Sequence, residues 1–386
     1  MRRLIFALLL MAVACGPAQA QPAISPSAGV ATPSATATAA LSPSPTPSTS
    51  GPLLFAVLEA NNTVAIAGLD GYARAKTTFI PMPAPDVGCM GANLPQSAQV
   101  AAGKVYFSDG KGVVRSLAVN GRVTRVASFP FSGHQQMLSF AVSPDGTQLL
   151  GAVLTVPAKF FPCSGGPPLQ QLSLDVYSAH AGGASTLLYH EKLPNTVPGP
   201  DVLKLVGWDK VGPVATYPTD WADQGGGPRP NFFGTPVRVD ASTGKVVGQV
   251  GDPNSCEVWA MAFSGDFVCI PNGSARISVR RPDGSEIWHF TATAGNSVYN
   301  PLLAPDEQHL VVDGTNYDTE GVGAKNGSRV NLGSQAGGQF YVSGWLDSTT
   351  LIGGDSNTNL AYVGLSAPGT VVSLGFQGRF VGTVHT

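Results

Sequence analysis

The chain has 386 residues and few charges: 22 Lys and Arg against 24 Asp and Glu give a net charge of −2. Only 12% of the residues are charged, about half of the ~25% that is usual in soluble domains. Because no basic stripe is available to neutralise phosphates, we expect no nucleic-acid partner. Glycine and proline are abundant, at 47 and 32 residues, and this composition favours an all-β chain rich in turns.

The first twenty residues are typical of a signal peptide. Two arginines precede the apolar segment of residues 4–14, which is too short to span a bilayer permanently. One cleavage site lies after Ala20, which ends an A-x-A pattern. The other lies before Cys15, where the sequence Ala-Val-Ala-Cys resembles a bacterial lipobox whose cysteine becomes the lipidated first residue. In this lipobox an alanine replaces the preferred leucine.

The segment that follows favours the second cleavage site. Residues 16–52 consist almost entirely of Gly, Pro, Ala, Ser and Thr and carry no charge, so we expect a disordered linker. Such a spacer suits a domain tethered to a membrane by its N-terminal lipid. We therefore predict an exported lipoprotein at the outer face of the cytoplasmic membrane or in the cell envelope, with a secreted protein as the alternative. Residues 53–386 form the predicted folded domain.

Beyond residue 60 the chain repeats one sequence pattern: an apolar run, a turn containing glycine, and a second apolar run. The seven turns are Asp70-Gly71, Asn120-Gly121, Gly182-Gly183, Thr243-Gly244, Asp283-Gly284, Asn326-Gly327 and Pro368-Gly369. We expect hairpins in which both central residues take positive φ. The last three spacings between the turns are 40, 43 and 42 residues, a period typical of four-stranded propeller blades.

These repeats predict a seven-bladed β-propeller, with six or eight blades as alternatives. Blade one lacks an innermost strand, because only the linker precedes its first strand at residue 53. Residues 379–384 form a spare strand after the last hairpin. We therefore expect the C-terminal strand to pair into blade one and close the ring, since unpaired sheet edges are prone to aggregate.

Two short turns carry a family resemblance. Residues 143–146 read Ser-Pro-Asp-Gly, and residues 304–306 read Ala-Pro-Asp, each after an apolar strand. This signature resembles the WD40-like repeats of TolB-type bacterial propellers. The resemblance covers these turns, and it implies a propeller architecture.

The longest loops all fall in blades one to four. They are residues 81–99, 131–136, 156–169, 191–200 and 218–231. In a propeller these connections share one face, and functional residues concentrate on loops held by a rigid scaffold. The sequence therefore predicts a binding face built from these loops.

Export places the chain in a compartment that permits disulfides. Either cleavage removes or modifies Cys15, which leaves four cysteines for two bridges. Cys89 and Cys163 lie in two of the long loops, so we pair them with each other. Cys256 then pairs with Cys269. We expect the hairpin to place Cys269 opposite about Met261.

The candidate ligand-binding residues are few. They are His134, Tyr217, Asp220, Trp221 and Asp223. Aromatic rings and carboxylates in one loop could stack against and hydrogen-bond to a sugar or peptide. The alternative is that the aromatic side chains pack onto the blade and that His134 is an ordinary loop residue. No motif indicates a catalytic residue, a metal site or a cofactor.

The leading hypothesis is a non-enzymatic binding or scaffold module, a monomer whose ligand is a protein, peptide or glycan on the long-loop face. An enzyme, a hydrolase or lactonase with carboxylates converging at the channel mouth, is the alternative. A structural envelope component without a ligand is the third hypothesis.

Overall fold

The computed structural model divides the chain into two units, Met1–Ser48 and Thr49–Thr386. The residues that it describes all belong to the second unit. They are 52–88, 91–92, 98–160, 170–193, 202–218, 222–223, 235–252, 256–271, 274–292, 299–313, 319–332, 340–354 and 359–386. The regular secondary structure over these ranges is entirely β. None of these residues belongs to a helix that could span a membrane.

The strands are short, as expected of a chain with a turn every few residues. In chain order they are β1 (Leu54–Glu59), β2 (Thr63–Gly68), β3 (Ala73–Thr78), β4 (Gly91–Ala92), β5 (Ala98–Ala101), β6 (Lys104–Ser108), β7 (Val113–Ala118), β8 (Val123–Ser128), β9 (Gln136–Val142), β10 (Gln148–Thr155), β11 (Ser173–His180), β12 (Ser185–Lys192), β13 (Lys204–Trp208), β14 (Pro213–Tyr217), β15 (Ala222–Asp223), β16 (Thr235–Val239), β17 (Val246–Gln249), β18 (Glu257–Met261), β19 (Phe267–Ile270), β20 (Arg276–Arg280), β21 (Glu286–Thr291), β22 (Tyr299–Leu303), β23 (His309–Asp313), β24 (Thr319–Ala324), β25 (Arg329–Asn331), β26 (Tyr341–Asp347), β27 (Thr350–Gly354), β28 (Asn359–Gly364) and β29 (Val372–Val384).

These strands build repeated four-stranded antiparallel sheets. Five sheets have the orders β5-β6-β7-β8, β12-β11-β10-β9, β13-β14-β16-β17, β18-β19-β20-β21 and β22-β23-β24-β25. A seven-stranded sheet has the order β26-β27-β28-β29-β1-β2-β3, and β4 pairs with β15 alone. Consecutive sheets meet at their first strands, where β5 contacts β9, β9 contacts β13 and β18 contacts β22. We call these the inner strands.

The last strand, β29, lies at the centre of the seven-stranded sheet and joins its two halves. The first part of β29 pairs with β28, with Ser373 opposite Ala361. Its second part pairs with β1, from Gly378 opposite Glu59 to Val384 opposite Leu54. The prediction of a separate spare strand at residues 379–384 is therefore wrong in one respect: the strand is continuous with the one before it.

The hairpin turns differ from the prediction in one detail. Six of the seven turns contain a glycine at positive φ: Gly71, Gly121, Gly182, Gly244, Gly284 and Gly327. The Asp or Asn residue before the glycine does not take positive φ. Its side chain instead accepts the backbone N–H two residues later, as between Tyr72 and Asp70 at 3.2 Å. These turns therefore resemble three-residue hairpin loops in which one left-handed glycine forms a bulge.

Three short strands were not predicted. The inner strand β5 begins at Ala98, inside the segment assigned to the loop of residues 81–99. It lacks a run of large apolar residues, because its sequence is Ala-Gln-Val-Ala. Gln99 holds it beside β9, because its side-chain amide donates to the carbonyl of Phe140 and accepts from the N–H of Val142. The two-residue strands β4 and β15 lie within predicted loops.

The core consists of apolar clusters in and between neighbouring sheets. Large side chains such as Phe55, Phe107, Phe140 and Phe267 are fully buried. Two tryptophans add polar links between sheets. The indole of Trp288 donates to the carbonyl of Glu307 at 3.0 Å, and that of Trp345 donates to the carbonyl of Leu302 at 3.0 Å. The hydrogen bonds fix the rings in place while their hydrophobic area is removed from water.

Candidate functional site

Several loops meet at one edge of the sheets. This edge is where β9 begins and β10 ends, since Gln136 lies opposite Thr155. We define the long-loop face by its described loop residues, 79–88, 91–92, 129–135, 156–160 and 222–223. These segments follow β3, β8, β10 and β14. Loops from different sheets thus share a single surface.

Gln135 links three of these segments through its side-chain amide. Its Nε2 donates to the carbonyl of Asp86 at 3.1 Å and to that of Val156 at 3.0 Å. Its Oε1 accepts the N–H of Asp86 at 2.8 Å. The carbonyl of Asp86 also accepts the N–H of Lys159 at 3.0 Å. These bonds hold the loops after β3, β8 and β10 in one arrangement.

The loop after β3 also reaches the loop after β14. Gly91 lies opposite Asp223 and Ala92 opposite Ala222 in the two-stranded pairing of β4 with β15. Earlier in the same loop, Val87 is buried in the apolar cluster that β10 and β13 share. The loop after β3 therefore extends from the seven-stranded sheet to the sheet of β13. It is held at Val87, by burial, and at Gly91 and Ala92, by pairing with β15.

The predicted ligand-binding residues have different surroundings. His134 is exposed and immediately precedes Gln135. Tyr217 ends β14 and packs against the same cluster as Val87, together with Trp208. The backbone of Asp223 lies in β15. Asp220 and Trp221 lie outside the described residues, and their role stays a prediction.

A disulfide joins Cys256 to Cys269, with their Cα atoms 5.5 Å apart. The predicted register was wrong, because Cys269 lies opposite Val258 and not opposite Met261. The hairpin turn is centred closer to β18 than predicted, because Met261 pairs with Phe267. A bulge between Val258 and Ala260 then shifts the pairing by one more residue. Cys256 therefore needs no sharp bend to reach its partner.

The other cysteines, Cys15, Cys89 and Cys163, lie outside the described residues. The backbone hydrogen bond between Asp86 and Lys159 joins the segments that precede Cys89 and Cys163, three and four residues further along the chain. The pairing of these two cysteines stays a prediction.

Sequence reasoning missed a buried cation at the start of an inner strand. Lys204 is the first residue of β13 and is only 7% exposed. Burial, together with the like charge of Arg379, lowers the pKa of Lys204 to about 8. Burial also lowers the pKa of the Arg379 guanidinium, which lies on β29 opposite Leu58. Its neighbours Leu203 and Leu205 are both buried, but alternation along a strand would place the side chain between them on the exposed side, so no local signal predicts the burial of Lys204.

The described part of the chain contains no group of three His, Cys, Asp or Glu side chains arranged to hold a metal ion. Among the charged residues near the start of the described inner strands, Glu257 on β18 is exposed, whereas Lys204 on β13 is buried. What distinguishes this end of the inner strands is thus a buried positive charge below a face of linked loops.

The repeated four-stranded antiparallel sheets resemble the blades of a β-propeller. No family model matches the chain, and no curated protein matches it. Similar solved structures include the Dos1 propeller, which is 13% identical, with 86% of each chain covered and a TM-score of 0.43. The C-terminal WD40 domain of Sif2 is 13% identical over 76% of this chain and 74% of its own, with a TM-score of 0.37. An oligogalacturonate lyase in complex with manganese is 11% identical over 65% and 70%, with a TM-score of 0.41. At these identities the likeness concerns the fold alone.

Proposed function

We propose that this protein is an exported, lipid-anchored, seven-bladed β-propeller that acts as a non-enzymatic binding module. Its ligand is a protein, peptide or glycan, and its binding surface is the long-loop face of blades one to four. The observation that carries the proposal is the set of contacts among Asp86, Gln135, Val156 and Lys159. A surface loop usually moves independently of its neighbours, whereas these loops form one preorganised platform.

Preorganisation matters because binding costs the entropy of every loop that must be ordered. A platform already held by hydrogen bonds avoids that cost. The pairing of β4 with β15 extends the platform from the loop after β3 to the loop after β14. A protein that served only as a spacer would not need such a platform, so the arrangement favours recognition of a ligand.

The way in which two units share β29 supports the proposed count of seven blades. Its first part completes a four-stranded unit with β26, β27 and β28, and its second part completes another with β1, β2 and β3. Together with the five separate four-stranded sheets, these two units are consistent with the seven blades that we propose. The contacts of β29 with β5 and with β26 support a closed ring.

The lipid anchor rests on the sequence. Cys15 supplies the acceptor in the lipobox-like sequence, and residues 16–52 supply the spacer. One acyl chain gives only marginal membrane binding, so a stable anchor needs the several chains that bacterial lipoproteins typically carry.

The binding proposal is tested with arrays of cell-envelope peptides and glycan fragments probed with the full mature protein. Gln135→Leu removes the side-chain hydrogen bonds that join three loops. The matched control is Gln308→Leu, an exposed glutamine beside Asp306 in the turn between β22 and β23. We expect Gln135→Leu to weaken each array signal while Gln308→Leu leaves it unchanged.

Two outcomes would contradict the proposal. If the array signals survive Gln135→Leu, the ligand binds elsewhere. If the bound probe is converted to product, which mass spectrometry of the eluted probe detects, the protein is an enzyme.

A further inference from the structure

Three exposed apolar residues lie at the edge of the sheets opposite the long-loop face. We call this edge, where β9 ends and β10 begins, the short-turn edge. Phe263, in the turn between β18 and β19, is 62% exposed, and Val211, in the turn between β13 and β14, is 56% exposed. Pro282, in the turn between β20 and β21, is also exposed. We call these three residues the Phe263 patch.

The Phe263 patch is contiguous across two neighbouring sheets. The N–H of Lys210, next to Val211, donates to the carbonyl of Phe263 at 2.8 Å. A Cβ at Gly265 would lie 2.6 Å from Val211 Cγ2 and 3.3 Å from Pro282 Cγ, so both side chains meet at this glycine. These contacts hold the turns together and leave the patch exposed. Apolar side chains that are exposed together, unlike scattered ones, mark contacts with proteins or membranes.

Positive charge borders the Phe263 patch. Lys210 and Arg281 adjoin patch residues in sequence, and both are exposed. Neither forms an ion pair within the described part of the chain. Of the carboxylates in the same three turns, that of Asp283 is exposed, whereas Asp209 is buried and Asp266 is half-buried. The exposed side chains around the patch therefore carry two positive charges and one negative charge.

Both ends of the folded domain lie at the short-turn edge. The strand β1 begins at Leu54, beside the C-terminal end of β29. A Cβ at Gly103, in the turn between β5 and β6, would collide with the carbonyl oxygen of His385. The N–H of the adjacent Ala102 donates to the carbonyl of Pro144, in the turn between β9 and β10, at 3.2 Å. The chain therefore enters the folded domain at the edge that carries the patch.

We propose that the Phe263 patch docks onto an anionic membrane surface, with Phe263 and Val211 inserted at the boundary between headgroups and acyl chains. Lys210 and Arg281 then face the anionic headgroups, which attract basic residues near the surface. Binding at this boundary grows with the apolar area buried and with that attraction. This inference rests on the lipid anchor of the proposed function and adds an orientation: the long-loop face points away from the membrane.

The linker explains how a small patch can suffice. Residues 16–52 join the folded domain at the short-turn edge, where β1 begins. A flexible chain of about 37 residues spans roughly 30–35 Å between its ends. A domain tethered by its lipid therefore stays at a high effective concentration at the membrane. A contact that would be weak for a free protein then becomes effective.

Vesicle flotation tests docking without the lipid anchor. The protein is the mature chain, residues 15–386, carrying Cys15→Ser, so that its N-terminus cannot be lipidated. The vesicles contain phosphatidylcholine alone or an equal mixture of phosphatidylcholine and phosphatidylglycerol. We expect the chain to float with the anionic vesicles and much less with the neutral ones. Added salt should release it, because salt screens the attraction between the cations and the headgroups.

Phe263→Ser removes the largest apolar side chain of the patch and should raise the lipid concentration for half-maximal flotation on the order of tenfold. The matched control is Leu187→Ser on β12, where the leucine is 51% exposed. Lys210→Gln should raise the same concentration about fivefold. Its control, Lys76→Gln on β3, also changes an exposed lysine and should leave flotation unchanged.

A second measurement tests the orientation of the lipid-anchored protein. The mature protein with its lipid is reconstituted in vesicles with brominated acyl chains, which quench nearby tryptophan fluorescence. Phe263→Trp should add fluorescence that the brominated lipid quenches, whereas Leu187→Trp should add fluorescence that it does not quench.

The inference is wrong if Phe263→Ser floats as well as its parent chain, or if neutral and anionic vesicles bind the parent equally. A parent chain that does not float, but forms a dimer that Phe263→Ser disrupts in analytical ultracentrifugation, shows that the patch binds a second copy. A parent chain that neither floats nor dimerises shows that the patch does not dock on lipid.

The anchor, the binding face and this inference fail separately. An unmodified mature N-terminus at Gln21 would contradict the anchor, while flotation of the chain carrying Cys15→Ser still tests the patch. Phe263→Ser should keep the array signals, because the patch lies opposite the long-loop face. Gln135→Leu should weaken the array signals and leave flotation unchanged.

Discussion

Single Asp and Asn side chains define many of the turns in this protein. In the Ser-Pro-Asp-Gly turn, Asp145 accepts the hydroxyl of Ser143 at 2.6 Å and the N–H of Thr147 at 3.1 Å. Asp306 accepts the N–H of Gln308 at 2.9 Å in the corresponding turn between β22 and β23. These carboxylates satisfy backbone groups that the sheets leave unpaired. The repeated Asp in the sequence therefore has a local structural cause.

Asp145→Ala should lower the Tm at about pH 7, and its difference from wild type should shrink as the pH falls. Hydrogen bonds, chiefly from Ser143 and then from Thr147, lower the pKa of Asp145 from the ordinary 3.8 to about 2. Stability from a lowered carboxyl pKa is present above the unfolded pKa and disappears as the pH falls through the folded value. Circular dichroism melts from pH 7 down to about 2 measure this.

Asp145→Asn is the matched control, because it keeps a side-chain oxygen acceptor and loses the charge. Its Tm should lie between those of Asp145→Ala and wild type at about pH 7. A difference between Asp145→Ala and wild type that stays constant down to about pH 2 would show that the carboxylate charge contributes nothing.

The role of a residue could be predicted from the sequence when its contacts lie close to it along the chain. The turn aspartates could be recognised because their contacts lie within a few residues of them. The burial of Lys204 could not, because a lysine in a strand is normally exposed and its surroundings depend on distant strands. Gln135 was missed for the same reason: its partner Asp86 is 49 residues away in sequence.

At the scale of elements, the strand β29 has a close approach to β1 that only glycine permits. A Cβ at Gly378 would collide with the carbonyl oxygen of Leu58 and with the Cα of Glu59. Both contacts involve backbone of the paired strand, which cannot move without breaking the pairing. The absence of a side chain at this position therefore keeps the two strands in register.

Gly378→Ala should reduce the free energy of unfolding by roughly 1–3 kcal/mol, the usual cost of overpacking. The control is Gly354→Ala at the end of β27, where a new Cβ meets no atom within 4 Å. Urea unfolding monitored by tryptophan fluorescence measures both variants. Equal stability of the two variants would mean that β29 does not approach β1 closely at Gly378.

The elements could be predicted where the chain forms a nearly continuous, mostly apolar run of at least five residues, as in β9 and β10. Strands could not be predicted where contacts with residues distant in sequence, and not the strand's own pattern, determine the pairing. The inner strand β5 contains the sequence Ala-Gln-Val-Ala and is held by Gln99. The strands β4 and β15 are two residues long, below the length at which periodicity can be recognised.

For the whole molecule, the proposed anchor predicts a defined mature N-terminus. Intact mass spectrometry of the protein purified from membranes should show Cys15 as the first residue with added acyl chains. Cys15→Ser should abolish this mass and release the protein from the detergent phase. An unmodified N-terminus at Gln21 would refute the lipoprotein and support the secreted alternative.

The general architecture was predictable because each blade repeats the same hairpins, and every repeat adds independent evidence. The long-loop face was predictable only as a set of long connections. How its loops contact one another, through Gln135 and through β4 with β15, depends on pairs that are far apart in sequence. Such contacts have no local pattern, and only the folded chain reveals them.

The pairing of β1 with β29 also governs when the protein can fold. Glu59 pairs with Gly378, which follows it by 319 residues. The sheet that contains β1 therefore stays incomplete until β29 has been synthesised. Contacts this distant in sequence form late and slow folding. The proposed export through a narrow channel would require the chain to remain unfolded while it is still inside the cell. A chain whose last strand completes its first sheet gains that delay from its own topology.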